Sequence, residues 1–273
     1  MPRPCYRGRV TPRQLRHVTA TRYVTPLREG GSLPAIVEGD DLGTYVVKFR
    51  GAGQGPKALV AELIAGEIGR ALGLRVPELV LIEVDPALGR TEPDSEIREL
   101  LGKSAGENLA LDFLPGSLAF DPVAPVGVDA ALASRVVWFD AFITNVDRTA
   151  RNTNMLAWHK DLWLIDHGAS LVVHHDWRDW QARSRSPFAA IRDHVLLPLA
   201  GALAEEAPAL RARLDATTLG AIVDLVPDGW LLPEPELSAP AGHRARYVDY
   251  LAARLAAASA FEEEAQRARA LLV

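Results

Sequence analysis

The sequence predicts an α+β chain whose strands gather in its first part and whose helices fill most of the rest. Three observations carry this expectation. Short β-prone runs recur between residues 14 and 50, at Leu79 to Val84 and at Leu109 to Leu114, with one helical stretch among them. From Asp129 onward the apolar spacing is helical. Within the second regime lie two short apolar runs, Met155 to Trp158 and Leu162 to Ile165, separated by the turn-like His159-Lys160-Asp161, the pattern of a hairpin. With 273 residues, 48% of them hydrophobic, the chain can bury a sizeable core as one two-lobed unit or two small domains.

Each element has its own local reason. Glu29-Gly30-Gly31-Ser32 reads as a tight turn between Tyr23-Val24 and Ala35-Ile36-Val37. Asp40-Asp41-Leu42-Gly43 turns the chain into the strand Thr44 to Phe49, and a Gly-rich patch follows at 51 to 55. Lys57 to Leu72 reads as a helix stopped by Gly73. Residues 86 to 108 are polar, with Pro, Gly and charges, and read as an elaborated connection. Leu109 to Leu114 is a buried strand closed by Pro115-Gly116. A buried helix from Asp129 through Ile143 leads into residues 144 to 154. After Gly168 the chain is loop-like to Ser186-Pro187, then helical, with breaks expected near Pro198, Pro208 and Pro227 to Pro240. Val248 to Leu272 reads as one amphipathic helix. Trp177, Trp180 and Trp230 read as core or surface of this helical part.

Bulk properties narrow the class. No apolar run approaches the length of a membrane span, and the basic opening MPRPCYRGRV lacks the apolar stretch of a secretory signal. Cys5 is the single cysteine, which excludes an internal disulfide or a Cys-based metal cluster within one chain. A cytoplasmic protein with no membrane partner is expected. The net charge of −5 gives no general attraction to nucleic acid, so no nucleic-acid partner is expected either. Arg3, Arg7, Arg9, Arg13, Arg16, Arg22 and Arg28 all precede the first acidic residue, Glu29. They read as a solvated edge of the first sheet, with retention of an anionic substrate or partner as the other reading.

The densest chemistry is at Asp147 to Asp166, DRTARNTNMLAWHKDLWLID, which continues into HGAS. Pairing of the two apolar runs sets Asn152 near the entry of one strand and Asp166 at the exit of the other. Asp147, Asn152 and Asp166 then share one small space, and two carboxylates with an amide oxygen suit magnesium. Adjacent His174-His175 near Asp176 lack the spaced partners that zinc needs. Gly30, Gly31 and Ser32 are either a routine turn or a loop offering backbone amides to phosphates.

The Asp, the Asn five residues on, and an Asp-X-Gly after a hairpin resemble the catalytic core of the protein-kinase-like fold. The tripeptide here is Asp166-His167-Gly168 rather than Asp-Phe-Gly, and Thr144-Asn145-Val146-Asp147-Arg148 stands where His-Arg-Asp is usual. The wording FDAFITNVDRTARNTNMLAW followed by LWLIDHGAS is similar to the HipA-like branch, kinases related to bacterial persistence toxins. The resemblance implies a two-lobed protein-kinase-like fold, with a small lobe at 1–110 and a hinge and helical large lobe at 111–273. It implies ATP between the lobes, adenine against Leu111, Asp112, Phe113 and Leu114, and magnesium on Asn152 and Asp166. Asp147 would position the acceptor hydroxyl.

Lys48, in an otherwise apolar strand, is by itself either a snorkelling surface residue or a paired group. The resemblance implies that it holds the nucleotide phosphates, paired with Glu62, or else Glu67, of the following helix. Gly30, Gly31 and Ser32 would cover the phosphates, and Ser32 would be the counterpart of a self-phosphorylated serine in the toxin relatives. The implied partners are ATP and an unidentified protein or small-molecule acceptor. The chain reads as lacking the toxins' extra N-terminal domain. A small-molecule or lipid kinase, and a nucleotide-binding pseudokinase or scaffold, are the alternative readings.

Overall fold

The computed structural model describes residues 14–27, 33–53, 55–90, 92–124 and 127–272. Gly30, Gly31 and Ser32 lie outside the described residues, as do Cys5, Arg3, Arg7, Arg9, Arg13 and Arg28. The first part is a closed five-stranded barrel: β1 (Arg16–Pro26), β2 (Ala35–Gly39), β3 (Thr44–Lys48), β4 (Leu79–Val84) and β5 (Gly106–Asp112), in the order β1-β2-β3-β5-β4. Parallel pairing of β4 with β1 closes it, while the other neighbours run antiparallel. Arg16 pairs with Asp41 and Glu78, and Arg22 with Glu38, on the solvated outside of this barrel.

Side chains alternate across each strand. In β3, Tyr45 and Val47 fill the barrel with Val18, Val37, Val80 and Ala110, so Lys48 faces the other way. That outer face carries Leu79, Leu81, Leu109 and Leu111, and α1 (Gly55–Ala71) packs on it. The helix is apolar on nearly every side because strands cover one face and the helical lobe another. Gly66 lets it come close: a Cβ there would lie 2.8 Å from Leu79 Cδ1. Gly73, at φ 81°, ends the segment.

Residues 86 to 108, expected as an elaborated connection, contain α2 (Ser95–Lys103), whose first turn is capped by the Asp94 carboxylate accepting from the Glu96 N–H at 3.0 Å. After β5 come β6 (Leu118–Ala119), α3 (Ala130–Ile143), β7 (Met155–Trp158) and β8 (Asp161–Leu164). The hairpin turn holds His159 and Lys160 alone, both at positive φ, so Asp161 belongs to β8 rather than to the turn. α3 is apolar along most of its length, and Trp138, Phe139 and Phe142 lie at the centre of the core.

The remaining helices are α4 (Trp180–Ser184), α5 (Leu203–Arg211), α6 (Ala216–Val223), α7 (Pro240–Ala256) and α8 (Ala258–Ala270). α4 falls within the stretch expected to be loop. α5 runs through Pro208 instead of breaking there, because Leu203, Ala207 and Leu210 bury one continuous face. The single helix expected over 248 to 272 is two, jointed at Ala257. α7 lies on α4 and α6 and α8 on α3 and α5, so two packing surfaces demand two axes. Trp177 and Trp230 are buried, and Trp230 reaches the small lobe, donating from Nε1 to the Glu107 carbonyl at 3.1 Å.

Candidate active site

Lys48, Glu62 and Asp166 meet where β3, α1 and the end of the hairpin converge. Lys48 Nζ lies 2.6 Å from Glu62 Oε2 and 2.5 Å from Asp166 Oδ1. Glu62 is the fully buried member, and it also accepts the His167 N–H at 2.8 Å and faces His167 Nδ1 at 3.3 Å. Burial opposes its ionisation, but Lys48 and the His167 bonds outweigh burial and hold the carboxyl well below its usual range. Burial likewise opposes the charge on Lys48, and the two carboxylates more than offset it, so its pKa is raised. Lys48 therefore pairs with Glu62; Glu67 instead sits 3.3 Å from Arg70, with its carboxyl raised by burial.

Asp166 sits at φ 54°, a left-handed backbone that costs a non-glycine residue about 1 kcal/mol or more. This turn points the carboxylate to Lys48 while the next N–H points to Glu62. Gly168 lies against Ala58 and Glu62. Lys48, Asp166 and Gly168 line a small cleft with Ala52, Gly55 and Leu59.

Asp147 lies on the loop after α3. Its Oδ2 accepts from Asn152 Nδ2 at 2.8 Å and from Asn154 Nδ2 at 3.2 Å. Asn154 also reaches the Asp166 carbonyl at 3.4 Å, so one amide ties Asp147 to Asp166. The expected residues Asp147, Asn152 and Asp166 are thus drawn together, and Asn154 is a further member that the spacing did not single out. Among the described residues, Asp147 Oδ1 and Asn152 Oδ1 have no hydrogen-bond partner.

Beneath the loop is a buried network that sequence reasoning missed. Asp140, in the apolar run of α3, accepts from Asn145 at 2.9 Å and Arg148 at 2.5 Å, with His194 Nε2 at 2.9 Å. Burial raises its carboxyl, and Arg148 and His194 override this and hold it well below the usual range. Arg148 further donates to the Asn154 carbonyl, and Asn145 Oδ1 receives the Asp147 N–H at 3.0 Å. A lone Asp amid Val136 to Ile143 is the one sequence signal that could have disclosed this hub. The backbone of the loop is also paired: Val195 N–H donates to the Arg148 carbonyl at 3.1 Å.

Leu111 and Leu114 are buried and Asp112 is exposed. The N–H groups of Asp112 and Phe113 are used on the carbonyls of Glu78 and Thr44, each at 2.9 Å. His174, expected to take no zinc role, is buried with Nδ1 2.9 Å from Tyr247 Oη. No described helix is long and apolar enough to cross a membrane.

Two solved structures are similar to this chain. The Helicobacter pylori proinflammatory kinase CtkA superposes with a TM-score of 0.55 at 14% identity, over 95% of this chain and 99% of that one. The Golgi casein kinase with Mn/ADP bound gives 0.49 at 13% identity, over 92% and 73%. The first likeness shows the protein-kinase-like fold. No curated protein matches the chain. The family described as HipA-like kinase matches residues 21–263, nearly the whole chain. The chain belongs to the HipA-like kinase family.

Proposed function

We propose that this kinase is an ATP- and magnesium-dependent phosphotransferase that passes the γ-phosphate to a Ser/Thr hydroxyl of a protein. The observation that carries the reading is the join between two halves of the site. Lys48, held by Glu62 and Asp166, stands on one side, and Asp147, tied to Asp166 through Asn154, stands on the other. An ammonium has three donors, and two are occupied here, which leaves one for a phosphate oxygen. The reading sets adenine at Leu111 to Leu114, of which Leu111 and Leu114 are buried.

The donor set fits a hard divalent cation. Asp166 offers a half-exposed carboxylate with Oδ2 uncommitted among the described residues, and Asn152 offers Oδ1. Magnesium held by Asp166 and Asn152 would supply neutralisation of the phosphates' negative charge. Asp147 Oδ1 receives the acceptor's proton while its Oδ2 is fixed by two amides. The acceptor oxygen bonds to the γ-phosphorus, the bond from that phosphorus to the bridging oxygen breaks, and ADP leaves. Catalysis of this kind is mainly positioning and charge stabilisation.

The test is transfer from γ-labelled ATP with magnesium, using wild type and Asp147→Ala, alone and with a cell extract. Label in protein bands with wild type, reduced at least about a hundredfold in Asp147→Ala with nucleotide binding kept, supports the reading. Label confined to lipid or small-molecule fractions replaces the acceptor class. Nucleotide binding without transfer replaces catalysis by a binding role.

A further inference from the structure

A second cavity, of about 210 Å³, lies on the other side of α1. By helical spacing, Lys57 and Val60 point from the face opposite Ala58 and Glu62. They wall the cavity together with Trp230 and Glu234 of the loop before α7, and with His243 and Tyr247 one turn apart on α7. None of these residues belongs to the Lys48–Asp166 cleft.

The polar groups in this wall are spoken for, with one exception. Lys57 Nζ is 2.7 Å from Glu234 Oε1 and donates to the His174 carbonyl at 2.5 Å. Tyr247 Oη is engaged with His174, and Trp230 Nε1 with Glu107. His243 is only 3% exposed, yet its Nε2 has no hydrogen-bond partner among the described residues. A buried ring nitrogen in this state carries a standing desolvation cost that a partner would relieve. The one ion pair neutralises itself, so the cavity offers a ligand no net charge. The rest of the wall is apolar. An apolar cavity of about 150 Å³ accepts benzene, so this volume suits one substituted ring or a small bicycle.

We propose that this cavity is a second ligand site, taking small uncharged aromatic molecules with a single hydroxyl or N–H group that pairs with His243 Nε2. Phenol is the probe. Titration of the full chain with phenol, read by the histidine ring resonances, is expected to show saturable one-to-one binding that moves His243 and raises the melting temperature with concentration. Benzene should bind about tenfold more weakly than phenol to wild type, and no differently from phenol to His243→Phe. Leu232 lines the mouth and is 56% exposed, so Leu232→Trp plugs the cavity at little risk to folding. That variant should weaken phenol binding at least tenfold, and it stands as the test if His243→Phe does not fold. Absence of saturable binding to wild type overturns the proposal. Equal affinity in wild type and Leu232→Trp places phenol elsewhere and overturns it as well. Binding is read without turnover, so the outcome is independent of the phosphotransfer experiment.

Discussion

Asn154 shows how much one amide can hold. It donates to Asp147 and to the Asp166 carbonyl, and its own carbonyl receives Arg148. Asn154→Ala frees the Asp147 carboxylate to turn and loosens its registration with Asp166. ATP turnover should fall by about tenfold to a hundredfold with the KM for ATP little changed, since displacements near 1 Å cost that much; steady-state kinetics on the folded variant decide it. Asp147, Asn152 and Asp166 were legible because their spacing along one loop and hairpin is a local property. Asn154, Asp140 and His194 were not, because their roles depend on which groups the tertiary fold brings opposite them. The same burial that hides such residues sets a pH dependence. Burial is the main cause that pushes His174 well below the ordinary histidine value of 6.5. The folded state keeps it neutral where the unfolded chain would bind a proton, so its contribution is full above about pH 6.5 and is lost as pH falls below it. The unfolding free energy from urea titrations should drop between pH 7.5 and 5.5, by at most about 1.4 kcal/mol per pH unit from this group, and the drop should shrink in His174→Gln.

α1 binds both lobes, and its fit depends on what its glycines omit. Leu79 already occupies the space a side chain at Gly66 would need. Gly66→Leu should destabilise the chain by about 1–3 kcal/mol through overpacking, measured by chemical unfolding, and should lengthen the Lys48–Glu62 contact. The small face of α1 was readable from Ala58, Ala65, Gly66 and Gly69, because helical spacing alone puts them together. The element boundaries that escaped reading have a common cause. Ala253 to Ala260 contains no glycine or proline, so nothing local marks the joint between α7 and α8. Pro208 suggested a break in α5, but the continuous apolar face outweighs one missing hydrogen bond. In both places tertiary packing overrides local propensity.

At the scale of the whole molecule, one buried side chain of α7 joins that helix to the end of α3. Arg254 of α7 is fully buried and donates to the carbonyls of Ala141 at 2.5 Å and Phe142 at 2.7 Å, at the end of α3. It also reaches Ser184 and Ser186 at 3.3 and 3.1 Å, and its guanidinium lies over the Phe261 ring. These carbonyls sit at the negative end of the α3 dipole, where a cation is favoured. Arg254→Met leaves them without a donor and should cost about 3 kcal/mol or more, seen in denaturant midpoints. Turnover should fall further than residual folding explains, since the loop bearing Asp147 starts where α3 stops. This arrangement also governs timing. Every side chain of the site, from Lys48 to Gly168, leaves the ribosome long before Arg254 does. A nascent or broken chain therefore carries all the proposed reacting groups without the Arg254 contacts at the end of α3, and the proposed phosphotransfer is expected only once α7 has been made.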